Sequence, residues 1–261
     1  MSNQISPLAY IEEGAQLGDG VKVGPFSCIY KDTVIGDGTI IENSVTIFSG
    51  ARIGKNCHIF PGACIATEPQ DLKFKGEYTT VEIGDNTKIH ECVTVHRATA
   101  SKQVTKVGSN CMIMAYCHIA HDCNVGDNVI MSNSVQMAGE VVVDPFAVIG
   151  GGALIHQFTH IGSYCMIQGG SGIVKDIPPY SMIGRNPAKY MGLNIIGLRR
   201  RGFTAEQIFQ IQDMYRILYL SGLNVTHACE KIVEECSESA EREYLINFIK
   251  SSDRGIIAGN M

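Results

Sequence analysis

A hydrophobic residue recurs at every sixth position over most of the chain. The series runs from Ile11 to Ile173 and contains 28 positions, of which only Asp71, Glu77 and Ser101 are not aliphatic. A period of six differs from the 3.6 of a helix and from the two of a flat strand. It predicts a hexapeptide β-helix, in which short strands coil around a narrow core.

A second column, of small residues, supports this geometry. The residue four places after each aliphatic is nearly always small, and five of the ten cysteines lie in this column: Cys57, Cys111, Cys117, Cys123 and Cys165. We interpret these cysteines as packing residues rather than as metal ligands. Glycine also follows many of the aliphatics directly, which we interpret as corners with unusual φ. Three hexads would then form one triangular coil of eighteen residues.

Two breaks interrupt the series without changing its phase. Residues 66–80 and 98–104 carry charged residues, Pro and Gly where core residues are expected. We predict that both are loops that leave the wall of the prism, where loops commonly carry binding residues. For the shorter one, a tolerated surface insertion is an equally good explanation.

The pattern becomes helical towards the C-terminus. Two prolines follow the repeat, and from Leu198 the apolar residues have helical spacing, with a capping-box signature at Thr204 and Gln207. Two further helices are predicted, one after Asn224 and one that carries Leu245. The chain is thus divided into a β-helix domain at residues 1–190 and a helical domain at residues 191–261.

The composition restricts the class of protein. The net charge of −5 and the pI near 5.9 disfavour a nucleic-acid-binding protein. The N-terminus has neither the basic nor the apolar segment of a signal peptide, and no apolar run is long enough to span a bilayer. Together with the absence of CxxC pairs, this predicts a cytoplasmic protein. The flat walls of a β-helix also favour a closed homo-oligomer.

The candidate chemistry lies in the segment His118-Ile-Ala-His121-Asp122-Cys123. The two histidines lie off the inward column, so they can reach an outer face or a groove. His121 beside Asp122 could be a general base. Several histidines could instead bind Zn²⁺, and any single one of the eight could simply be a surface residue.

Four segments together resemble the UDP-N-acetylglucosamine O-acyltransferase family. They are the segment 118–123, Asp71-Leu-Lys73, His156-Gln157-Phe158, and the run from Asn194 to Phe203. The resemblance covers essentially the whole chain. It implies a left-handed β-helix trimer with active sites between subunits and a small helical C-terminal domain. It also implies transfer of a (R)-3-hydroxyacyl chain from acyl carrier protein to the sugar 3-hydroxyl, the first step of lipid A synthesis, without a metal or other cofactor.

The resemblance also implies residue roles. His121 matches the general base, Asp122 its orienting partner, and the Gly139 N–H the oxyanion donor. Gly169 matches a position that limits acyl length, and Arg200 lies in a basic run suited to phosphate or to an acidic carrier protein. The substrate-contacting positions are matched by Asp71, Lys73, His118, His156, Gln157 and Asn194.

At three positions the chain departs from the family pattern. Glu140 and Pro187 stand where histidines are common, and Ile196 stands where a glutamate contacts the nucleotide. These departures leave the general base in place but affect the expected nucleotide contacts and acyl-chain preference. They also make a related hexapeptide acyltransferase with a different sugar acceptor the alternative function.

Other proteins with this fold are less consistent with the sequence. The sister enzyme that N-acylates glucosamine carries a globular domain before its repeat, whereas this repeat starts at Ile11. A zinc-dependent hydratase of the carbonic anhydrase type would need three histidine ligands. A purely structural β-helix would need neither the His-Asp pair nor the basic run near Arg200.

Overall fold

The fold is a triangular prism built from stacked coils of parallel strands. The computed structural model describes residues 2–259. The strands of the prism, in chain order, are β1 (Gln4–Ile5), β2 (Tyr10–Ile11), β3 (Gln16–Leu17), β4 (Lys22–Val23), β5 (Cys28–Ile29), β6 (Val34–Ile35), β7 (Ile40–Ile41), β8 (Thr46–Ile47), β9 (Ala51–Ile53), β10 (His58–Ile59), β11 (Cys64–Thr67), β12 (Thr80–Ile83), β13 (Lys88–Ile89), β14 (Thr94–His96), β15 (Val104–Val107), β16 (Met112–Ile113), β17 (His118–Ile119), β18 (Asn124–Val125), β19 (Ile130–Met131), β20 (Gln136–Met137), β21 (Val142–Val143), β22 (Val148–Ile149), β23 (Leu154–Ile155), β24 (His160–Ile161), β25 (Met166–Ile167) and β26 (Gly172–Ile173).

Each wall of the prism is a parallel sheet that takes every third strand. Sheet 1 runs from β1 through β4 and β7 to β25, sheet 2 from β2 through β5 to β26, and sheet 3 from β3 through β6 to β24. Where no loop intervenes, paired residues in neighbouring coils are eighteen residues apart, as Ile113 and Met131 are. The sixth-residue period is therefore the length of one wall.

The aliphatic column fills the inside of the prism. From Val23 onwards its members within the walls are at most 3% exposed, whereas Ile11 and Leu17 in the first coil are only partly buried. The small column is buried beside it, and several of its polar members bond to the adjacent coil. The Thr39 hydroxyl donates to Gly54 O at 2.9 Å, and the Cys111 thiol lies 3.1 Å from Gly126 O. Packing is thus sufficient to explain the buried cysteines.

The glycines after the aliphatics serve a different purpose from the one predicted. Left-handed φ values occur two residues later, at the corners, as at Asn110 (57°) and Asn128 (59°). The glycines themselves are required because the next coil approaches their Cα atoms. A Cβ atom on Gly108 would lie 2.6 Å from the backbone nitrogen of Asp127. The prediction of unusual φ at these glycines was wrong.

The two loops are insertions at one edge, between sheets 2 and 3. Strand β11 ends at Thr67 and strand β12 begins at Thr80, so the longer loop comprises residues 68–79 rather than 66–80. The shorter loop comprises residues 97–103 rather than 98–104. Ile53 pairs with Ile83 and Ile83 with Val107, which are thirty and twenty-four residues apart. The insertions are therefore multiples of six, and this is why the phase survives them.

The C-terminal region packs over the last coils. A hairpin of β27 (Ser181–Gly184) and β28 (Lys189–Leu193) extends sheet 1 and precedes α1 (Ile195–Arg200), α2 (Ala205–Leu220), α3 (Val225–Glu235) and α4 (Ala240–Lys250). The predicted capping box of α2 is confirmed, and Asn224 caps α3 as its spacing indicated. The sequence did not predict the hairpin or the short helix α1. The domain boundary at residue 190 falls inside β28 and stays a prediction.

Within residues 2–259, no helix combines the length and the apolar character that crossing a membrane would require.

We expect Gly108→Ala to destabilise the prism. The new methyl group would lie 2.5 Å from the Asp127 carboxylate and 2.6 Å from its backbone nitrogen. Overpacking of this kind costs about 1–3 kcal/mol. Gly172→Ala is the matched control, since no heavy atom lies within 4 Å of its Cβ position. Equal free energies of unfolding in urea for the two variants would contradict the close-approach explanation.

Candidate active site

A cavity of about 630 Å³ lies on the outer face of sheet 2, beside the edge from which the loops leave. The predicted site residues that line it are His118, His121, Gly139, His156 and Gln157. They come from three successive coils, because β17, β20 and β23 are neighbours in sheet 2. A groove of similar size on sheet 3 is lined by none of the predicted site residues.

His121 and Asp122 occupy a corner of the prism between β17 and β18. The Asp122 backbone has the left-handed φ of 62° found at these corners. His121 Nδ1 lies 2.8 Å from Asp122 Oδ2. Because an ionised carboxylate can only accept, Nδ1 carries a proton, and in the neutral form of the ring Nε2 is the nitrogen that can accept one. The His121 side chain is 18% exposed and that of Asp122 is 0% exposed, so the imidazole faces the cavity with the carboxylate behind it.

The shorter loop encloses the Asp122 carboxylate. Oδ1 accepts the backbone N–H groups of Thr99 at 3.0 Å and Lys102 at 3.1 Å, and Oδ2 also accepts the Thr99 hydroxyl at 2.7 Å. Burial raises the pKa of Asp122, but the hydrogen bonds from His121 and Thr99 outweigh it, so the pKa lies below its ordinary value. Asp122 is therefore a fixed negative charge beside His121.

Gly139 lies against the His121 ring. A Cβ atom at this position would be 2.5 Å from Cε1 and 2.6 Å from Nε2 of His121, so a side chain would displace the ring. Among residues 2–259, no group accepts a hydrogen bond from the Gly139 N–H. The N–H is therefore available to a bound oxygen.

His118 and the unpredicted His96 form the other side of the cavity. Their rings meet edge to face with centroids 4.9 Å apart, and His118 Nδ1 lies 2.7 Å from Thr94 Oγ1. Burial, with a smaller effect of the nearby His118, lowers the pKa of His96 to about 4. Burial and the nearby His121 also lower the pKa of His118. Both are neutral at pH 7 and can take part in neutral hydrogen bonds.

The sequence offered a weak signal for His96. It directly follows Val95 of the aliphatic column, as His156 follows Ile155, so both project from the outer face of sheet 2. His156 is exposed, and its Nδ1 lies 3.1 Å from Gln157 O. Gln70 and Gln136 also line the cavity and were not predicted. Gln70 comes from the longer loop, whose path the repeat does not determine.

Asp71 and Lys73 are next to the cavity but do not line it. They follow Gln70 in the longer loop, where Asp71 Oδ1 accepts the Lys73 backbone N–H at 2.9 Å. Asp71 is half-buried and Lys73 is exposed.

Three predicted site residues lie elsewhere on the chain. Asn194 caps α1 and donates from Nδ2 to Tyr164 O at 2.9 Å, and Arg200 is exposed at the end of that helix. Gly169 lies at the edge between sheets 1 and 2, where a Cβ atom would be 2.9 Å from Gly151 O. None of these three lines the cavity that contains His121.

The positions that depart from the family pattern are also outside the cavity. Glu140 is half-buried at the corner after Gly139, and its N–H donates to His121 O at 3.0 Å. Ile196 is 66% exposed on α1, and Pro187 is exposed in the turn between β27 and β28. In the chain described, Glu140 thus supports the corner through its backbone.

Within residues 2–259, no group of three or more histidine, cysteine or acidic side chains is arranged to hold a metal ion.

We expect the neutral His96 to make the protein sensitive to mild acid. Because its pKa falls from an ordinary 6.5 to about 4 on folding, its contribution is complete above pH 6.5 and is lost as the pH falls towards 4. Between pH 7 and pH 5 the free energy of unfolding should fall by about 2 kcal/mol more in the wild type than in His96→Gln. Urea unfolding at a fixed protein concentration measures this, and equal pH slopes would contradict it.

Comparison with known proteins extends over the whole chain. Residues 14–49 and 105–139 match the sequence profile of bacterial transferase hexapeptide repeats. Residues 176–257 match the profile of the second domain of UDP-N-acetylglucosamine O-acyltransferase. The two profiles thus match two segments of the repeat and the C-terminal region, respectively.

Solved structures of UDP-N-acetylglucosamine acyltransferases superpose on nearly the full length. The one from Bacteroides fragilis is 51% identical, with a TM-score of 0.95 over 97% of this chain and 99% of that chain. The one from Francisella novicida is 40% identical, with a TM-score of 0.95 and coverage of 98% and 94%. The one from Arabidopsis is 31% identical, with a TM-score of 0.77 and coverage of 98% for each.

These similarities confirm the predicted fold, a left-handed parallel β-helix followed by a small helical region. Sequence identity and fold both match these acyltransferases over nearly the full length. The chain therefore belongs to the UDP-N-acetylglucosamine O-acyltransferase family.

Proposed function

We propose that the chain transfers a (R)-3-hydroxyacyl group from acyl carrier protein to the 3-hydroxyl of UDP-N-acetylglucosamine, the first step of lipid A biosynthesis. The observation that carries the mechanism is the His121–Asp122 pair, whose 2.8 Å hydrogen bond leaves His121 Nε2 free beside the cavity. The membership in the family supports the choice of acceptor.

His121 is the general base of this reaction. Its unprotonated Nε2 takes the proton of the sugar 3-hydroxyl while the hydroxyl oxygen attacks the thioester carbonyl carbon. The imidazolium that forms is stabilised by the Asp122 carboxylate, which is buried and held by the shorter loop. A neutral imidazole next to a fixed negative charge is well suited to accept a proton.

The tetrahedral intermediate then needs a hydrogen-bond donor for its oxyanion. The Gly139 N–H has no acceptor within residues 2–259 and belongs to a residue in contact with the His121 ring. Donors fixed in advance for developing charge give a large share of the catalysis of acyl transfer. Collapse of the intermediate breaks the C–S bond, and His121 returns its proton to the departing phosphopantetheine thiol.

Other residues of the cavity and its rim bind substrate in this proposal. His118, His156 and Gln157 line the cavity, and Asp71 and Lys73 approach it from the longer loop. The donor's acyl carrier protein is the macromolecular partner, and the exposed Arg200 is suited to its acidic surface or to phosphate. The reaction needs no metal or other cofactor, and we place the protein in the cytoplasm.

We expect His121→Ala to lower kcat by about 10²–10⁴-fold, because the general base is lost. His227→Ala, which removes an exposed histidine of α3 outside the cavity, should retain wild-type activity. The measurement is acyl transfer from (R)-3-hydroxyacyl carrier proteins of several lengths to UDP-N-acetylglucosamine, with and without a chelator. Full activity of His121→Ala would exclude it as the base, and loss of wild-type activity on chelation would exclude a metal-free mechanism.

We also propose that the protein is a homotrimer. Five apolar side chains form a line in register on the outer face of sheet 1: Met112, Ile130, Val148, Met166 and Met182. The first four are half-exposed and Met182 is 39% exposed, which favours burial against another copy. Gly169 lies near the end of this line, where a small residue would leave room for a long acyl chain.

A second copy would complete the site. In one chain Asn194, Arg200 and Gly169 do not line the cavity that contains His121. Their roles in contacting substrate and limiting acyl length therefore require a neighbouring subunit. The apolar line on sheet 1 supplies a surface on which that neighbour could pack.

We expect Ile130→Glu to dissociate the trimer and to abolish transfer, because it places a charge in the middle of the apolar line. Val142→Glu is the control, since Val142 is half-buried at the equivalent position of a strand in sheet 3. Light scattering should give about three times the chain mass of 28.3 kDa for the wild type and the control. A wild-type monomer, or dissociation by the control alone, would contradict this interface.

A further inference from the structure

The shorter loop holds the Asp122 carboxylate mainly through Thr99. The Thr99 backbone N–H donates to Oδ1 at 3.0 Å, and its hydroxyl donates to Oδ2 at 2.7 Å. Oδ2 is also the atom that accepts His121 Nδ1–H at 2.8 Å. Thr99 thus donates hydrogen bonds to both carboxylate oxygens, and one of these oxygens, Oδ2, also accepts the hydrogen bond from His121.

The direction of the Thr99 hydroxyl hydrogen is determined by its surroundings. The backbone N–H of Ser101 donates to Thr99 Oγ1 at 3.2 Å. The ionised Asp122 carboxylate has no hydrogen to give. The hydroxyl hydrogen is therefore directed at Oδ2, and with Thr99 only 7% exposed, water does not compete for it.

Contacts within the two loops fix Thr99 independently of any substrate. Thr99 lies in the shorter loop and is 7% exposed. Gln103 N donates to Thr99 O at 2.9 Å, and Ala100 N donates to Glu77 Oε1 of the longer loop at 3.1 Å. The contact with Asp122 is therefore supported by hydrogen bonds within the loops.

We propose that Thr99 is a positioning residue for proton transfer: it holds the Asp122 carboxylate so that His121 keeps its proton on Nδ1 and presents a free Nε2. This inference rests on the proposed function, in which His121 is the base. Without the Thr99 hydroxyl, Oδ2 has one donor fewer, so the pair His121–Asp122 orients less well and binds a proton more tightly.

The other titratable groups around the pair do not hydrogen-bond to Thr99. His96 and His118 lie on neighbouring strands of sheet 2, Glu140 on the next coil and Lys102 in the loop. Burial raises the pKa of the adjacent Cys123 to about 12, so this thiol does not titrate in the working range. A change in the pH profile at Thr99 would therefore report on the pair.

The test compares Thr99→Val, Thr99→Ser and Thr159→Val in the full chain. Valine keeps the backbone N–H but removes the hydroxyl, and serine keeps both. Thr159→Val is the matched control, since Thr159 is also a buried threonine, 0% exposed, and its hydroxyl has no partner among the described residues. The readouts are kcat, KM, the pH profile of kcat/KM, and the His121 tautomer by ¹⁵N NMR.

We expect Thr99→Val to lower kcat about tenfold with little change in KM, to move the acid limb of the profile to higher pH and to reduce the Nδ1–H tautomer. Thr99→Ser and Thr159→Val should match the wild type. An unchanged kcat, profile and tautomer in Thr99→Val would overturn the inference. Equal losses in Thr99→Val and Thr99→Ser without a shifted profile would also overturn it, because they indicate packing alone.

A wild type that transfers no acyl group would refute the proposed function, not this inference. The tautomer measurement then decides the role of Thr99 separately, since it needs no catalysis. A wild-type tautomer in Thr99→Val would overturn the inference, and a shifted one would support it.

Discussion

Each coil of the prism donates its backbone N–H groups to the carbonyl groups of the next, as Met112 N does to Val129 O at 3.0 Å. This stacking brings successive coils so close that only glycine fits at positions such as Gly108. It also turns every inward residue into a neighbour of the residue one coil away, so the core is a stack of like side chains. The regularity of the sequence is a direct consequence, because an exception at an inward position would disturb two neighbouring coils.

The candidate site depends on an irregularity of the same scaffold, the corner. Consecutive side chains in a strand point to opposite faces, so a strand cannot bring neighbouring residues together. At the corner the left-handed φ of Asp122 turns its side chain back to within 2.8 Å of His121. Gly139, at the equivalent corner one coil later, packs on the same ring. The fold thus brings His121, Asp122 and Gly139 together, the proposed base, its partner and the oxyanion donor, through backbone turns that every coil already makes.

The period of six, the buried columns and the capping box could be read from the sequence because each depends on contacts that repeat or are local. For His96 the sequence offered only a weak signal and for Gln70 none, since their place in the cavity depends on which coils are neighbours and on the path of a loop. The hairpin that carries β27 and β28 was missed because it follows two prolines and continues sheet 1 with antiparallel pairing. The roles of Asn194, Arg200 and Gly169 came from resemblance alone, and a single chain does not bring them to His121.

The loops at the edge between sheets 2 and 3 are additions to the coil, since Ile53 still pairs with Ile83 and Ile83 with Val107 across them. The core neither gains nor loses a residue when such a segment changes. The scaffold therefore combines an interior that tolerates little alteration with an edge where a segment can change in length by whole hexads without disturbing the core. New substrate preferences could arise at that edge in related chains without any change in the prism that supports them.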